Sequence, residues 1–286
     1  MEMPIILTKH GNINTINFTP QKPSGKTIVC IHGLCCDARI FQYLAQDLTS
    51  RGFSVISIDL FGHGTSDGKK GDPNFDDCLD SLYEIIFKIK QYSKVYLLSH
   101  SIGCTYSLWY LQRYENTLDG LILLAPYVRV NIKKRSDVEP NIAQFLYLLL
   151  RRIISPGLLV DVRNTLPNYT KVGGYQIESM IKDKLLNFKY SLRYLVDVVA
   201  LKNQNATNLS KIDIPVLILH GKKDRQVYPQ VSEAFFKMIK SEKKSIQLFD
   251  CDHWFFDVIF YEQTQNNSQE SRNDFLKHLS DWLERN

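Results

Sequence analysis

No run in this chain reaches the roughly 18 uncharged apolar residues needed to span a bilayer. The nearest approach, residues 145–150, stops at Arg151-Arg152. The first ten residues also lack a basic segment followed by a long apolar one, so no secretory signal is expected. Cysteine occurs at six positions, yet no pair stands at Cys-x-x-Cys spacing and no zinc-like cluster can be drawn. Cys35 and Cys36 are adjacent, while Cys30, Cys78 and Cys104 fall inside expected elements and act there as small hydrophobes. Reduced thiols and a cytoplasmic location are the expectation. Charge of one sign is not concentrated either. The formal net charge of +5 is spread over short, separated groups such as Lys69-Lys70, Lys133-Lys134-Arg135 and Lys243-Lys244. Solvated loops account for these, and a nucleic-acid surface is not indicated. There is no internal repeat.

What is present has the composition of a globular protein. The 286 residues are 44% hydrophobic and 23% charged, enough for one large α/β domain or two modest ones. Residues 5–9 and 13–18 alternate apolar and polar around His10-Gly11-Asn12, which predicts an N-terminal hairpin. Apolar strands are expected at 26–31, 53–58, 95–98, 121–124, 216–219 and 245–249. Helical spacing occupies 40–48, 75–91, the stretch after Gly103, and 274–285. Strands that are apolar throughout and alternate with helices predict an α/β fold, a mostly parallel sheet covered on both faces. The segment 127–210 breaks the alternation. It holds helical stretches at 142–154, 177–187 and 192–199 and no convincing strand, so it reads as a helical cap inserted between two sheet strands. The expected organisation is a core from 1–126, a cap at 127–210 and the second part of the core at 211–286. Residues 261–272 are polar and read as a surface loop.

The chemistry points to one stretch. Val95-Tyr96-Leu97-Leu98 ends at Ser99-His100-Ser101-Ile102-Gly103, and helical spacing follows with Leu108, Trp109 and Leu111. Strand, tight turn and helix with a serine at the apex describe a nucleophile elbow, whose strained backbone needs small residues two positions either side of the serine. Ser101 meets that condition with Ser99 and Gly103. Ser99 does not, because Leu97 would then occupy a small-residue position. A polar turn between strand and helix is the alternative reading of the same residues. A serine nucleophile also needs a base, a group to orient the base, and donors for an oxyanion. Asp224 follows the strand at 216–219, and His253 follows the last strand; either could instead be an ordinary loop or capping residue. His32-Gly33 ends the strand at 26–31 and suits a loop that supplies the Leu34 backbone N–H, with the Ile102 N–H as the second donor. Cys35-Cys36 read as filler in that loop, His63 as part of a structural turn, and His100 as a packed neighbour.

The set Ile31-His32-Gly33, Asp59-Leu60-Phe61-Gly62-His63-Gly64-Thr65-Ser66-Asp67-Gly68, Ser99-His100-Ser101-Ile102-Gly103, His220-Gly221-Lys222-Lys223-Asp224 and Asp252-His253 resembles the α/β-hydrolase superfamily. It is most similar to the monoacylglycerol lipase and lysophospholipase branch, over 26–126 and again over 214–285. The order Ser101, Asp224, His253 is that of α/β-hydrolases. Departures are Ser99 for the usual glycine, Cys104 after Gly103, and the polar insertion after His253. The resemblance implies an eight-stranded α/β-hydrolase sheet and a Ser101-Asp224-His253 triad with Leu34 and Ile102 at the oxyanion. His32, Gly33 and Gly103 support that arrangement, which requires no metal or organic cofactor. Hydrolysis of a small-molecule acyl ester is implied, leaning to monoacylglycerol or lysophospholipid because Phe145, Leu146, Leu148, Leu149, Ile153 and Ile154 could line an apolar pocket. The same residues could simply bury the cap, and Arg151-Arg152 could rest against an anionic membrane surface. Lactone, thioester, peptide or C–C hydrolysis on the same triad stays open, as does a non-catalytic ligand-binding protein. Fold alone does not fix the substrate.

Overall fold

The computed structural model describes residues 4–132, 142–165, 186–204, 212–255 and 268–286. Ten strands fall among them: β1 (Ile5–Thr8), β2 (Gly11–Phe18), β3 (Lys26–Ile31), β4 (Ser54–Ile58), β5 (Lys94–His100), β6 (Gly120–Leu124), β7 (Leu159–Asp161), β8 (Lys189–Ser191), β9 (Val216–Gly221) and β10 (Lys244–Phe249). The helices are α1 (Gln42–Ser50), α2 (Phe75–Lys90), α3 (Ile102–Arg113), α4 (Ile142–Ile154), α5 (Leu192–Gln204), α6 (Pro229–Met238) and α7 (Ser268–Arg285). Eight strands form one sheet in the order β1-β2-β4-β3-β5-β6-β9-β10. The pairs β1/β2 and β2/β4 are antiparallel, and every pair from β4 to β10 is parallel. This is the predicted α/β architecture.

Period-two alternation assigns the two faces. Val95 and Leu97 of β5 pack with α2, α3 and α6 on one side, through Leu82, Ile86, Leu108 and Phe235. Tyr96 and Leu98 pack with α1 and α7 on the other, through Leu44, Leu48, Phe275 and Leu279. Both faces are covered, which explains why the central strands are apolar throughout. Each fully buried Leu or Phe contributes about 1.5–3 kcal/mol by leaving water. Helix α2 shows how local sequence agrees with this plan. Asn74 caps it by accepting from the N–H groups of Asp76 and Asp77, those acids sit at the positive end of the helix dipole, and Lys88 and Lys90 sit at the other.

Two expectations need correction, and one helix is added. The segment between β6 and β9 is not free of strands: Leu159–Asp161 and Lys189–Ser191 pair antiparallel. Strands of three residues are too short to leave a period in the sequence. Helix α7 begins at Ser268, inside the stretch read as a polar loop. Gln269, Glu270 and Arg272 are good helix formers, and Arg272 is tied to Asp47 of α1. Helix α6, with Pro229 in its first turn and Val231 and Phe235 buried, was not anticipated. The helix expected over 177–187 falls almost wholly outside the described residues, as does the Lys133-Lys134-Arg135 cluster.

Candidate active site

The carboxyl ends of β3, β5, β9 and β10 bring the predicted residues together. Ser101 stands between β5 and α3 with φ 53° and ψ −117°, a left-handed conformation that costs a serine about 1–3 kcal/mol and persists only where its surroundings enforce it. Its N–H donates to the Leu124 carbonyl of β6 at 2.9 Å, and its own carbonyl accepts from Cys104 and Tyr127 at 3.0 and 3.2 Å. Gly103 lets the elbow approach β3: a Cβ there would lie 2.7 Å from the His32 carbonyl oxygen and 2.9 Å from that of Ile31. Ser99 is fully buried, and its hydroxyl faces Cys104 Sγ at 3.4 Å. The departure from glycine is therefore accommodated inside the turn.

His253 lies in the loop after β10. Its Nε2 meets Ser101 Oγ at 2.9 Å, and its Nδ1 meets Asp224 Oδ2 at 2.7 Å. A carboxylate only accepts, so Nδ1 carries the proton and Nε2 is free to accept from the serine hydroxyl. Both His253 and Asp224 are 3% exposed. Burial pushes the Asp224 carboxyl upward, but the charge of His253 and hydrogen bonds from His220 and His253 outweigh it, holding the group well below the usual carboxylate range. Its other oxygen accepts from the Gln226 and Val227 backbone N–H groups at 2.8 and 2.9 Å. Asp252 accepts the Trp254 N–H at Oδ1, 2.9 Å away, and so caps its own loop.

The His253 loop is held from two directions. Lys222 and Lys223 donate their backbone N–H groups to the carbonyls of Phe249 and Cys251, which joins the loops after β9 and β10. His100 donates from Nε2 to the His253 carbonyl at 2.9 Å, with the two rings 5.0 Å apart. Burial pushes His100 down to about 3, so its ring is neutral. His100 is thus a brace under the imidazole of His253, not a base.

Across the elbow, Gly33 sits against it so closely that a Cβ would lie 3.2 Å from Ser101 Cβ. His32 locks the start of this loop, donating from Nδ1 to the Gly33 carbonyl at 2.8 Å and accepting the Leu60 N–H at Nε2, 3.2 Å away. Cys35 follows Leu34 with φ 60°, and its N–H donates to the Tyr190 hydroxyl of β8 at 3.0 Å. The Ile102 N–H begins α3, where no intrahelical acceptor exists. Leu34 thus follows the glycine that packs on Ser101, and Ile102 follows Ser101 itself. Burial raises the Cys35 thiol to about 12, and Cys36 also lies well above the ordinary value, which leaves both inert at neutral pH.

One polar residue at this site escaped the sequence reading. His220 is completely buried at the end of β9 and touches Asp224 from behind, Nε2 to Oδ2 at 2.9 Å. Its signal was a single histidine in an apolar strand, four residues before the aspartate.

A family model described as serine aminopeptidase, S33, matches residues 22–253. The AB hydrolase superfamily protein YisY of Bacillus subtilis is 26% identical over 211 residues, covering 70% of this chain and 75% of its own. Human monoglyceride lipase is 24% identical, over 80% of this chain and 76% of its own. Among solved structures, a soluble variant of monoglyceride lipase from Saccharomyces cerevisiae, in complex with a substrate analog, superposes with a TM-score of 0.80. The two are 18% identical over 99% of this chain and 95% of that one, so that likeness is one of fold. The chain belongs to the serine aminopeptidase S33 family: it is a hydrolase of the α/β-hydrolase fold, similar in build to the monoacylglycerol lipases.

Proposed function

We propose that this hydrolase cleaves carboxylic esters of small molecules through Ser101, His253 and Asp224. The observation that carries the reading is the continuous line from Asp224 Oδ2 through both nitrogens of His253 to Ser101 Oγ, at 2.7 and 2.9 Å, on a strained elbow. Ser101 Oγ bonds to the acyl carbon as its proton passes to His253 Nε2. The Leu34 and Ile102 N–H groups receive the oxyanion. The intermediate collapses with loss of the alkoxide, which takes the proton from His253. Water then attacks the acyl-enzyme, gives a proton to His253, and releases the acid as Ser101 is reprotonated. Loss of one oxyanion donor in such a site typically costs about 10²–10³ in kcat.

The substrate leans to monoacylglycerols or lysophospholipids. Human monoglyceride lipase and Bacillus subtilis phospholipase YtpA, 25% identical over 76% of this chain, support that lean. We take 127–210 as a cap over the elbow. In support, α5 is bound to the body of the fold by Arg193 on Asp72 and by Trp109 Nε1 on the Leu201 carbonyl at 3.1 Å. Helix α4 carries Leu146, Leu150, Ile153 and Ile154 on its surface, from 57% to 78% exposed, beside the cationic Arg151. Such a face suits peripheral contact with an anionic lipid surface. Among the described residues no helix is long and apolar enough to cross a membrane. Six free, buried cysteines fit a reducing compartment, and we take the location as cytoplasmic.

The family's description as an aminopeptidase keeps amide hydrolysis as the second reading. A panel of esters varied in acyl length and head group, run beside aminoacyl amides and a lactone, separates the two by kcat/KM. Labelling by a fluorophosphonate probe should occur in wild type and vanish in Ser101→Ala and His253→Ala. Full labelling of Ser101→Ala would sink the site, and an amide cleaved well beside inert esters would replace the ester reading.

A further inference from the structure

His220 stands where no hydrolytic step reaches it, yet every polar atom on its ring is committed. Strand β9 is buried along its whole length and His220 is its only polar side chain. Its Nε2 faces two groups that can only accept, Asp224 Oδ2 at 2.9 Å and the Val227 carbonyl at 2.8 Å. That nitrogen must therefore carry a proton, shared between them. Its Nδ1 meets the Ser232 hydroxyl of α6 at 2.5 Å, and Ser232 is itself fully buried. In the neutral ring the serine donates to Nδ1, which polarises the Nε2–H bond toward the carboxylate.

Asp224 completes the pattern. Oδ1 accepts two backbone N–H groups, and Oδ2 accepts one N–H from each of two histidines. A carboxylate has about four lone-pair sites, and all four are filled. The ring of His220 and the ring of His253 thus compete for the charge on one oxygen. A hydrogen bond from the first weakens the pull of that oxygen on the second.

We propose that His220, oriented by Ser232, is a positioning residue that fixes the Asp224 carboxylate and tempers its hold on His253. The inference rests on the triad reading above. By drawing off part of the carboxylate charge, His220 keeps His253 Nε2 available to accept the serine proton at lower pH than a lone Asp-His pair would. The titratable groups gathered here are His220 and Asp224 from the β9 side, His253 from the β10 loop, and the neutral His100 at the end of β5. Asp252 is turned to the Trp254 N–H.

The test is kcat/KM for p-nitrophenyl butyrate from pH 5 to 9, on wild type, His220→Met, His220→Gln and Ser232→Ala. Methionine fills similar volume without a donor, and its acid limb should move up by about one pH unit, the scale of one charge-assisted hydrogen bond. Glutamine keeps an N–H at the Nε2 position and should return the limb to within about 0.3 units of wild type. Ser232→Ala should move it in the same direction as methionine by a smaller amount. An unmoved or downward limb in His220→Met overturns the proposal. Should that variant fail to fold by circular dichroism, Ser232→Ala decides, and an unmoved limb there overturns it equally. Ser101→Ala is run alongside: activity surviving in it refutes the triad, whereas an inert Ser101→Ala with an unmoved His220→Met limb refutes the role of His220 alone.

Discussion

Alanine at position 103 tests how closely the elbow is fitted to β3. The added methyl would lie 2.7 Å from the His32 carbonyl oxygen and 2.9 Å from the Ile31 carbonyl oxygen. Ordinary contact begins near 3.4 Å, so helix and strand must part by about 0.7 Å. Neither neighbour is a flexible side-chain tip. Ile31 is paired with Ile58 of β4 and with Ser99 of β5, so β3 is held from both edges. The movement falls instead on α3 and on residues 32–34, which carry the two proposed oxyanion donors. A misplacement near 1 Å can cost about 10²-fold, and we expect a fall of that order in kcat with little change in KM. Overpacking of this kind costs about 1–3 kcal/mol, partly offset by the roughly 1 kcal/mol by which alanine favours a helix over glycine. The melting temperature should therefore fall by only a few degrees. Ser99→Gly is the control, since the Ser99 hydroxyl makes only long contacts, and it should stay within about threefold of wild type. A folded Gly103→Ala protein with kcat within threefold of wild type would refute the argument that this contact sets the site.

Acid should weaken the fold before any carboxylate titrates. Burial holds His63 and His100 at about 3, below the roughly 6.5 of an unfolded histidine, so both are neutral in the fold. The unfolded chain takes up their protons below pH 6.5, and the stability they permit is complete above that value and lost as pH falls toward 3. Together they remove about 3 kcal/mol between pH 6.5 and 5, and His32, also pushed down by burial, adds in the same direction. Urea midpoints that do not change from pH 7.5 to 5 would contradict this. For α4, the double change Leu150→Glu and Ile153→Glu should abolish sedimentation with vesicles of phosphatidylcholine and phosphatidylglycerol while leaving p-nitrophenyl butyrate hydrolysis in solution intact. Equal sedimentation of variant and wild type would remove this face from any lipid contact.

The sheet was legible because its strands are buried on both faces and so appear as unbroken apolar runs. Val95-Tyr96-Leu97-Leu98 and Val216-Leu217-Ile218-Leu219 could be placed to within two residues at either end. Ser101, Asp224 and His253 were legible for a related reason: each follows such a run, and parallel strands deliver the residues after them to one edge of the sheet. His220 was not, because its role depends on the turn at 221–224 folding Asp224 back over the strand. Spacing alone does not disclose that geometry. Strands β7 and β8 were missed because three residues carry no period. Helix α6 was missed although Pro229 stands at its start, where a proline's missing N–H costs nothing.

The segment after β6 is tied by hydrogen bonds to the loop beside the serine. Tyr190 of β8 takes the Cys35 N–H, one residue from Leu34, and Tyr194 of α5 meets the Tyr106 hydroxyl of α3 at 3.1 Å. The Ser191 N–H donates to the Gly71 carbonyl at 2.8 Å, and Arg193 grips Asp72 through Nε at 3.0 Å. These contacts begin within a stretch of five residues and reach the loop at 32–36, the elbow helix and the turn before α2. A displacement of that stretch would carry Tyr190 with it and leave the Cys35 N–H, which is buried, without its acceptor. The loop that bears Leu34 is therefore braced by Tyr190, two residues before α5 begins. Tyr190→Phe should therefore lower kcat for p-nitrophenyl butyrate, because the buried Cys35 N–H beside Leu34 would lose its acceptor.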